Sequence, residues 1–269
     1  MKSLEKLRHE PHISVSSLGM WLRCPRKWKL HYLEKAEASH RSIGLVFGHA
    51  WHSAIGYLLM LHQKRQTVRV TALRDYFAVA LDREIKDDGP PVLFEDDEDI
   101  DALLLIAGRM LDAFLERVTL PDRVLYVELP FRLELFDPET GETLPMPLIG
   151  AMDAVVELSQ RREIWELKSG KKRWAQDAVL YDFQATAYRM AERQLDGRER
   201  QRQDAGLKLI VTTKARTPDV QLEALVRNEA DERDLAETAT SIVHAVRSGC
   251  FHPVRSWMCG QCEYADVCR

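Results

Sequence analysis

The stretch 147-PLIGAMDAVVELSQRREIWELKSG-170 decides how the chain is read. Two apolar-rich runs, "PLIGAMDAVVEL" and "REIWELKSG", flank the short polar link "SQRR", the pattern of two strands joined by a turn. Residues i and i+2 of a strand share a face, so Glu166 and Lys168 stand side by side while Leu167 enters the core. Asp153 sits in "IGAMDAVV", an otherwise apolar context, and a charge is expensive to bury unless it is paired or holds a metal. In a hairpin Asp153 falls across from Glu166, bringing two hard oxygen ligands and an amine to one point. That set suits Mg²⁺ or Mn²⁺, which take one or two carboxylates and fill the other positions with water and substrate phosphate oxygens. Taken alone, Glu-x-Lys is an ordinary ion pair on a solvated strand, and the setting of Asp153 argues against that reading.

Outward from this pair, "RVLYVELPFRLELF" (123–136) alternates as a strand and "DPETGE" supplies its turn. A helix is expected over "DAVLYDFQATAYRMAERQL", a strand at "GLKLIVTT", and a late helix over 226–247. Upstream, Ser14, Ser16 and Ser17 are candidate N-caps for a helix that Pro25 interrupts. A second helix runs from "GLVFGHAWH" to about Arg65, and further helices occupy 67–118. The chain has no internal repeat and no Gly/Ser linker. Helices first and a mostly antiparallel sheet later indicate one α/β domain spanning 1–269.

With 269 residues, 45% of them hydrophobic and 30% charged, the composition is that of a globular domain able to bury a sizeable core. The N-terminal segment has no apolar core of signal-peptide length, and no apolar run reads as long enough to span a bilayer, so a cytoplasmic location with no membrane partner is the default expectation. The net charge of −4 misleads about partners, because "DDGPPVLFEDDEDID" (87–101) holds eight acids and no Lys or Arg, which leaves the remainder at +4. Residues 1–41 carry nine Lys/Arg against four Asp/Glu, compatible with phosphate binding. The acid run itself reads as a solvated loop.

The end of the chain, "MCGQCEYADVCR", stacks Cys259, Cys262 and Cys268. In a reducing compartment clustered cysteines bind metal or react more often than they form disulfides. Cys24, in "LRCPRKW", is the candidate fourth ligand; four thiolates suit tetrahedral zinc or an iron–sulfur cluster, and spacing alone does not choose. Cys250 fits no motif and reads as a small buried residue.

Asp153 followed by Glu166-x-Lys168 resembles the PD-(D/E)xK nuclease signature, in its RecB-like branch. "GHAWH" resembles the Gly-x-x-x-His helix of that branch and selects His52; "QATAY" resembles its Gln-x-x-x-Tyr motif, with Gln184 and Tyr188 one helical turn apart; "YVELPF" resembles the strand where Glu128 falls. One departure is Met152 where the family name has proline. The resemblance implies a restriction-endonuclease-like core, a mixed central sheet flanked by helices, with a helical insertion at about 60–120. It implies metal held by His52, Asp153, Glu166 and the backbone carbonyl of Leu167, and Lys168 positioning or activating the attacking water. Gln184 and Tyr188 would align the DNA strand, Tyr188 by stacking on a base, with Lys171, Lys172 and Arg173 as phosphate contacts. The one-plus-three cysteine layout is similar to iron–sulfur members of the branch, AddB-type nuclease domains and CRISPR-associated single-domain exonucleases. It implies a [4Fe-4S] cluster on Cys24, Cys259, Cys262 and Cys268, in a module of 14–35 plus 250–269 that clamps the two termini together. The implied activity is 5′ to 3′ exonucleolysis of single-stranded DNA in recombination, repair or spacer acquisition. No helicase motif is present, so unwinding falls to a helicase or to recombination or CRISPR adaptation partners. A DNA-end-binding subunit and a redox-sensing regulator are the rival readings.

Overall fold

The computed structural model describes residues 3–95, 98–195 and 205–268. After a short α1 (Leu4–Arg8), Ser14 and Ser17 exchange side-chain and backbone hydrogen bonds and start α2 (Val15–Arg23) with a capping box. Cys24 is extended, Pro25 opens α3 (Pro25–Trp28), and the chain continues into a π-helical turn, Lys29–Leu33. Next come β1 (Arg41–Ser42), α4 (Ile43–Gln63), α5 (Val70–Lys86), β2 (Val92–Leu93) and α6 (Ile100–Arg117). The acid-rich stretch is thus more than a loop: β2 pairs in parallel with β1, and Asp99 caps α6 through the Ala102 N–H. Asp96 and Asp97 lie outside the described residues.

The main sheet follows with β3 (Arg123–Leu133), β4 (Leu148–Leu158), β5 (Arg161–Gly170), β6 (Gly206–Thr213) and β7 (Val220–Leu225), in that spatial order. Only β5 and β6 run parallel, their crossover carrying α7 (Gln176–Leu180) and α8 (Phe183–Leu195); α9 (Glu229–Arg247) comes last. This is the α/β arrangement expected, a mixed central sheet flanked by helices. The helices α4, α5 and α6 cover one face around Phe47, Trp51 and Phe114. On the other face α2, α8 and α9 pack Leu18, Tyr188 and Leu235 against the strands.

Several local expectations change. The link between β4 and β5 is only Ser159-Gln160, both at positive φ (50° and 63°), so Arg161 and Arg162 belong to the strand. Those are the dihedrals that let a two-residue turn follow the twist of its strands. The helix expected across 177–195 is two helices. The Asp182 carboxylate accepts from the Gln184 N–H and starts α8 afresh, while the Arg227 guanidinium donates to the carbonyls of Val179 and Asp182. The late helix begins at Glu229, because Asn228 caps it with a capping box. β7 and α1 were not anticipated. Cys250 is exposed rather than buried. Finally, α4 is long and apolar enough to cross a membrane, contrary to expectation; more than half of its apolar window is buried inside the molecule, as in a core helix.

The C-terminal segment folds back on residues 24–39. The Arg26 N–H donates to the His252 carbonyl and the Ser39 N–H to the Glu263 carbonyl; Lys27 pairs with Glu263 at 2.7 Å, and His31 shares a 2.7 Å hydrogen bond with the Tyr264 hydroxyl. Phe251 completes an aromatic cluster with Trp21 and Trp28, at centroid distances of 5.6 and 6.2 Å.

Candidate active site

The β4–β5 ladder is regular from Leu158↔Arg161 to Ala154↔Trp165. One step further, where Asp153 faces Glu166, side chains take over. The Asp153 Oδ2 accepts the Leu167 N–H at 2.7 Å, so a strand donor is spent on a carboxylate and fixes it. On the other side of β4, Val127↔Ala154 and Leu129↔Met152 place Glu128 opposite Asp153. Glu128 has φ 51°, a left-handed conformation that a non-glycine residue adopts rarely, and here it falls inside a paired strand and not in a turn. The facing of both strands changes there: Val127 and Ala154 belong to the α4–α6 side, whereas Leu129 and Met152, each two residues away, belong to the α8 side. Asp153 therefore sits at a break in the pleat between two cores.

Glu166 and Lys168 point to the α8 side. Glu166 is 2% exposed, and the Lys168 ammonium lies against its Oε1. Neither Glu166 oxygen has an aligned hydrogen-bond donor. Burial, reinforced by the nearby Asp153 charge and opposed by Lys168, pushes the Glu166 carboxyl up to about 7. Burial pulls the Lys168 ammonium down, but Glu166, Asp153 and Asp182 together raise it, so it stays protonated. Its Nζ donates to Gln184 Oε1 at 2.9 Å and lies 5.8 Å from the centre of the Trp174 ring. Gln184 Nε2 in turn donates to the Tyr188 hydroxyl, which donates to the Ala151 carbonyl, both at 2.8 Å. The two residues of the Gln-x-x-x-Tyr motif thus tie Lys168 back to β4.

His52 comes from α4 on the opposite side of the sheet, its Nδ1 3.6 Å from Asp153 Oδ1. Burial lowers its basicity, and the contact with Asp153 and the charges of Asp153 and Glu166 more than reverse that, leaving it raised. His52, Glu128, Lys168 and Ser169 line an open cleft of about 470 Å³ with Gly44 and Gly48. A larger cavity, about 780 Å³, is lined by His62, Arg123, Tyr126 and Ile164 and by none of the candidate catalytic, metal-binding or DNA-contacting residues.

Among the described residues, no three His, Cys, Asp or Glu side chains close on one point tightly enough to ligate an ion. The chemistry of the set nevertheless fits a hard divalent cation. A buried and a partly buried carboxylate converge, and neither oxygen of Glu166 has an aligned hydrogen-bond donor, with only the Lys168 ammonium against Oε1, a costly arrangement that a cation would relieve.

Two expectations about nucleic-acid contacts change in detail. Tyr188 is 1% exposed with its hydroxyl engaged on both sides, so no base can stack on it; what it can do is hold Gln184. In the turn after β5, Lys171 meets Glu95, Arg173 stands 3.2 Å from Asp219, and Lys172 is exposed. Away from these residues, Cys24, Cys259, Cys262 and Cys268 line one small cavity of about 190 Å³ with Lys27 and Tyr264. All four thiols are free, and burial pushes Cys262 up.

A family model for the PD-(D/E)XK nuclease superfamily matches residues 12–269. The chain belongs to that superfamily. A crystal structure described as "Putative exonuclease" from Eubacterium rectale superposes with a TM-score of 0.54 at 17% identity, over 99% of this nuclease and 90% of that chain. At that identity the likeness shows the fold alone. The structure of SSO0001 aligns at 15% identity over 98% and 93% of the two chains with a TM-score of 0.41, too low to carry an argument. No curated protein matches the nuclease.

Sequence reasoning passed over Asp182 in this nuclease. Its Oδ1 caps α8, and its Oδ2 is a buried atom without a partner whose charge helps keep Lys168 protonated. An Asp two residues before a helical Gln is an N-cap signature, and that signal was available.

Proposed function

We propose that the protein is a divalent-metal-dependent deoxyribonuclease that degrades single-stranded DNA from a free end, 5′ to 3′, in recombination, repair or spacer acquisition. The observation that carries this reading is the Asp153–Glu166–Lys168 group at the break in the pleat, with Glu166 buried, paired with Lys168 and without an aligned hydrogen-bond donor on either oxygen. Asp153 and Glu166 would hold Mg²⁺ or Mn²⁺, with His52 and the Leu167 carbonyl as further donors. A cation bound there supplies Lewis acidity toward the phosphoryl group and lowers the pKa of water. Lys168, protonated and held by Gln184, offers a fixed positive charge to the phosphate oxygens as charge develops on them. Tyr188 keeps Gln184 in place, and Lys171, Lys172 and Arg173 follow directly from the catalytic strand as phosphate contacts.

The same reading treats the chain as a single nuclease domain with a helical insertion at about 60–120 and a [4Fe-4S] cluster on Cys24, Cys259, Cys262 and Cys268. Four free cysteines around one cavity support the cluster. It ties the 250–269 segment to the 14–35 segment, where Lys27–Glu263 and His31–Tyr264 already join the two. Zinc is the chemical alternative on the same thiols.

The test is digestion of end-labelled single-stranded DNA with Mg²⁺ or Mn²⁺, comparing the anaerobically purified protein with Lys168→Ala after recording its visible spectrum. Cleavage that needs metal and Lys168, from brown protein absorbing broadly near about 400 nm, supports the reading. Tight DNA binding without cleavage in either protein points instead to an end-binding subunit.

A further inference from the structure

The loop after β5 and the loop after β6 form one rim. Gly170 pairs with Thr213 at the ends of the two parallel strands, and the Lys214 N–H donates to the Gly170 carbonyl at 2.6 Å. The Trp174 N–H donates to Gln221 Oε1 at 2.8 Å, and Arg173 reaches Asp219 across the same gap. Helix α6 joins from the side: Arg109 donates to the Arg216 carbonyl at 3.1 Å, and Arg117 stands 3.8 Å from Asp219.

Among the described residues, the charges on this rim do not balance. Asp219 is shared by Arg173 and Arg117, and Glu95 sits on Lys171. Glu98 is spent on Lys214, whose side chain is 7% exposed. Among the described residues, Lys172 and Arg216 have no carboxylate partner, and both are exposed. Cations crowded this way repel one another, and a surplus spread along an edge creates a positive potential that attracts a polyanion. The surplus follows two loops and a helix flank without converging on a pocket, which suits a chain of phosphates better than one small anion. The rim starts three residues beyond Lys168, and Ser169 lines the cleft beside His52. Glu95 shows directly that Lys171 takes an oxyanion, and both side chains are at least half exposed, so the pair is weak and exchangeable.

We propose that this rim carries the DNA strand away from the cleft, with Arg216 and Arg109 contacting phosphates beyond Lys171–Arg173. Glu95 holds the Lys171 position until a phosphate displaces it. The inference rests on the nuclease reading, and its test separates the two.

Binding of a 20-nucleotide oligo-dT is measured in Ca²⁺ across a range of KCl concentrations, with a 4-nucleotide oligo-dT as reference. Abolishing one cation–phosphate interaction with a single strand lowers the log–log salt slope by about 0.7. Arg216→Ala is expected to remove about that much slope and to weaken the 20-mer by about threefold to tenfold at low salt. Binding of the 4-mer and thermal stability stay unchanged, and adding Arg109→Ala weakens the 20-mer further. Glu95→Gln tightens 20-mer binding, but not in a Lys171→Ala background. Unchanged slope and affinity in Arg216→Ala and Arg109→Ala, in a protein that still cuts DNA with Mn²⁺, would overturn the path and leave the nuclease reading standing. A protein that neither binds the 20-mer nor cuts it overturns both.

Discussion

Gly150 gives the sharpest quantitative test of how the site is held. It pairs with Phe131 across β3 and β4, and a Cβ placed on it would lie 2.6 Å from Phe131 Cζ and 2.9 Å from Cε1. The tip of the phenyl ring occupies the place of the missing side chain. To accept a methyl group at ordinary contact distance, the ring must retreat by roughly 1 Å, and in a close-packed interior such overpacking costs about 1–3 kcal/mol. The ring is 3% exposed and meets Tyr188 edge-on at 5.9 Å, so its retreat presses on the tyrosine that holds Gln184 and, through it, Lys168. Gly150→Ala should therefore lower Tm by about 2–10 °C and reduce the cleavage rate well below Tm by up to about 100-fold. Differential scanning calorimetry and single-turnover digestion read the two effects. A double-mutant cycle supplies the control, since in a Phe131→Leu background the added methyl should be nearly neutral. Equal destabilisation by Gly150→Ala with and without the phenyl ring would refute the reasoning, as would wild-type stability and rate in the single variant.

The remaining predictions concern the charged groups and the thiols. Glu166, raised from 4.5 to about 7, favours the metal-free fold when protonated, so its contribution is full below pH 4.5, falls as pH rises to about 7 and is flat above; urea denaturation in EDTA at pH 5 and 8 should show a loss of up to about 3 kcal/mol from this group, which Glu166→Gln removes while leaving the smaller part due to His52. His52, raised from 6.5, tilts stability the same way just above that value, whereas the raised Lys168 acts only above 10.5. Because the proton competes with the cation on Glu166, Mn²⁺ affinity by calorimetry should tighten about tenfold between pH 6 and 8, and a flat profile would remove Glu166 from the ligand set. Gln184→Ala should lower kcat by about 10–100-fold with little change in DNA affinity, since it unfastens Lys168 and leaves no side-chain acceptor in its place. Cys24→Ser should bleach the visible absorbance, lower Tm and leave residual cleavage per folded molecule, whereas an unchanged spectrum would exclude Cys24 as a cluster ligand.

The parts of this molecule legible in sequence were those governed by local periodicity and by the expense of burying charge. The β3–β4–β5 succession followed from alternation, and the meeting of Asp153 with Glu166 from a hairpin-sized gap and an apolar setting. What escaped depends on tertiary partners. Nothing local marks "VQLEAL" as strongly as pairing with β6 does, and the break at Asp182 needs Arg227 to receive the freed carbonyls. The left-handed Glu128 has no glycine or asparagine to advertise it; only the paired strands reveal it. Tyr188 shows the opposite hazard. Its motif suggested contact with DNA, but burial leaves it acting through Gln184.

The bond between residues 24–39 and the C-terminal segment has a consequence for biosynthesis. Lys27 and Glu263 are 236 positions apart, so at about 5–20 residues per second the ribosome needs roughly 10–50 s to deliver the second after the first. Throughout that interval Trp21 and Trp28 lack Phe251, and Cys24 lacks its three companions. The sheet and both its helical layers can assemble meanwhile, because their residues emerge earlier. Closure therefore comes late in synthesis, and a nascent or stalled chain that has not reached Phe251 would present an open aromatic surface to chaperones and proteases. A group held by all four thiols can be seated only after Cys268 has emerged, on a sheet and helices that are already made.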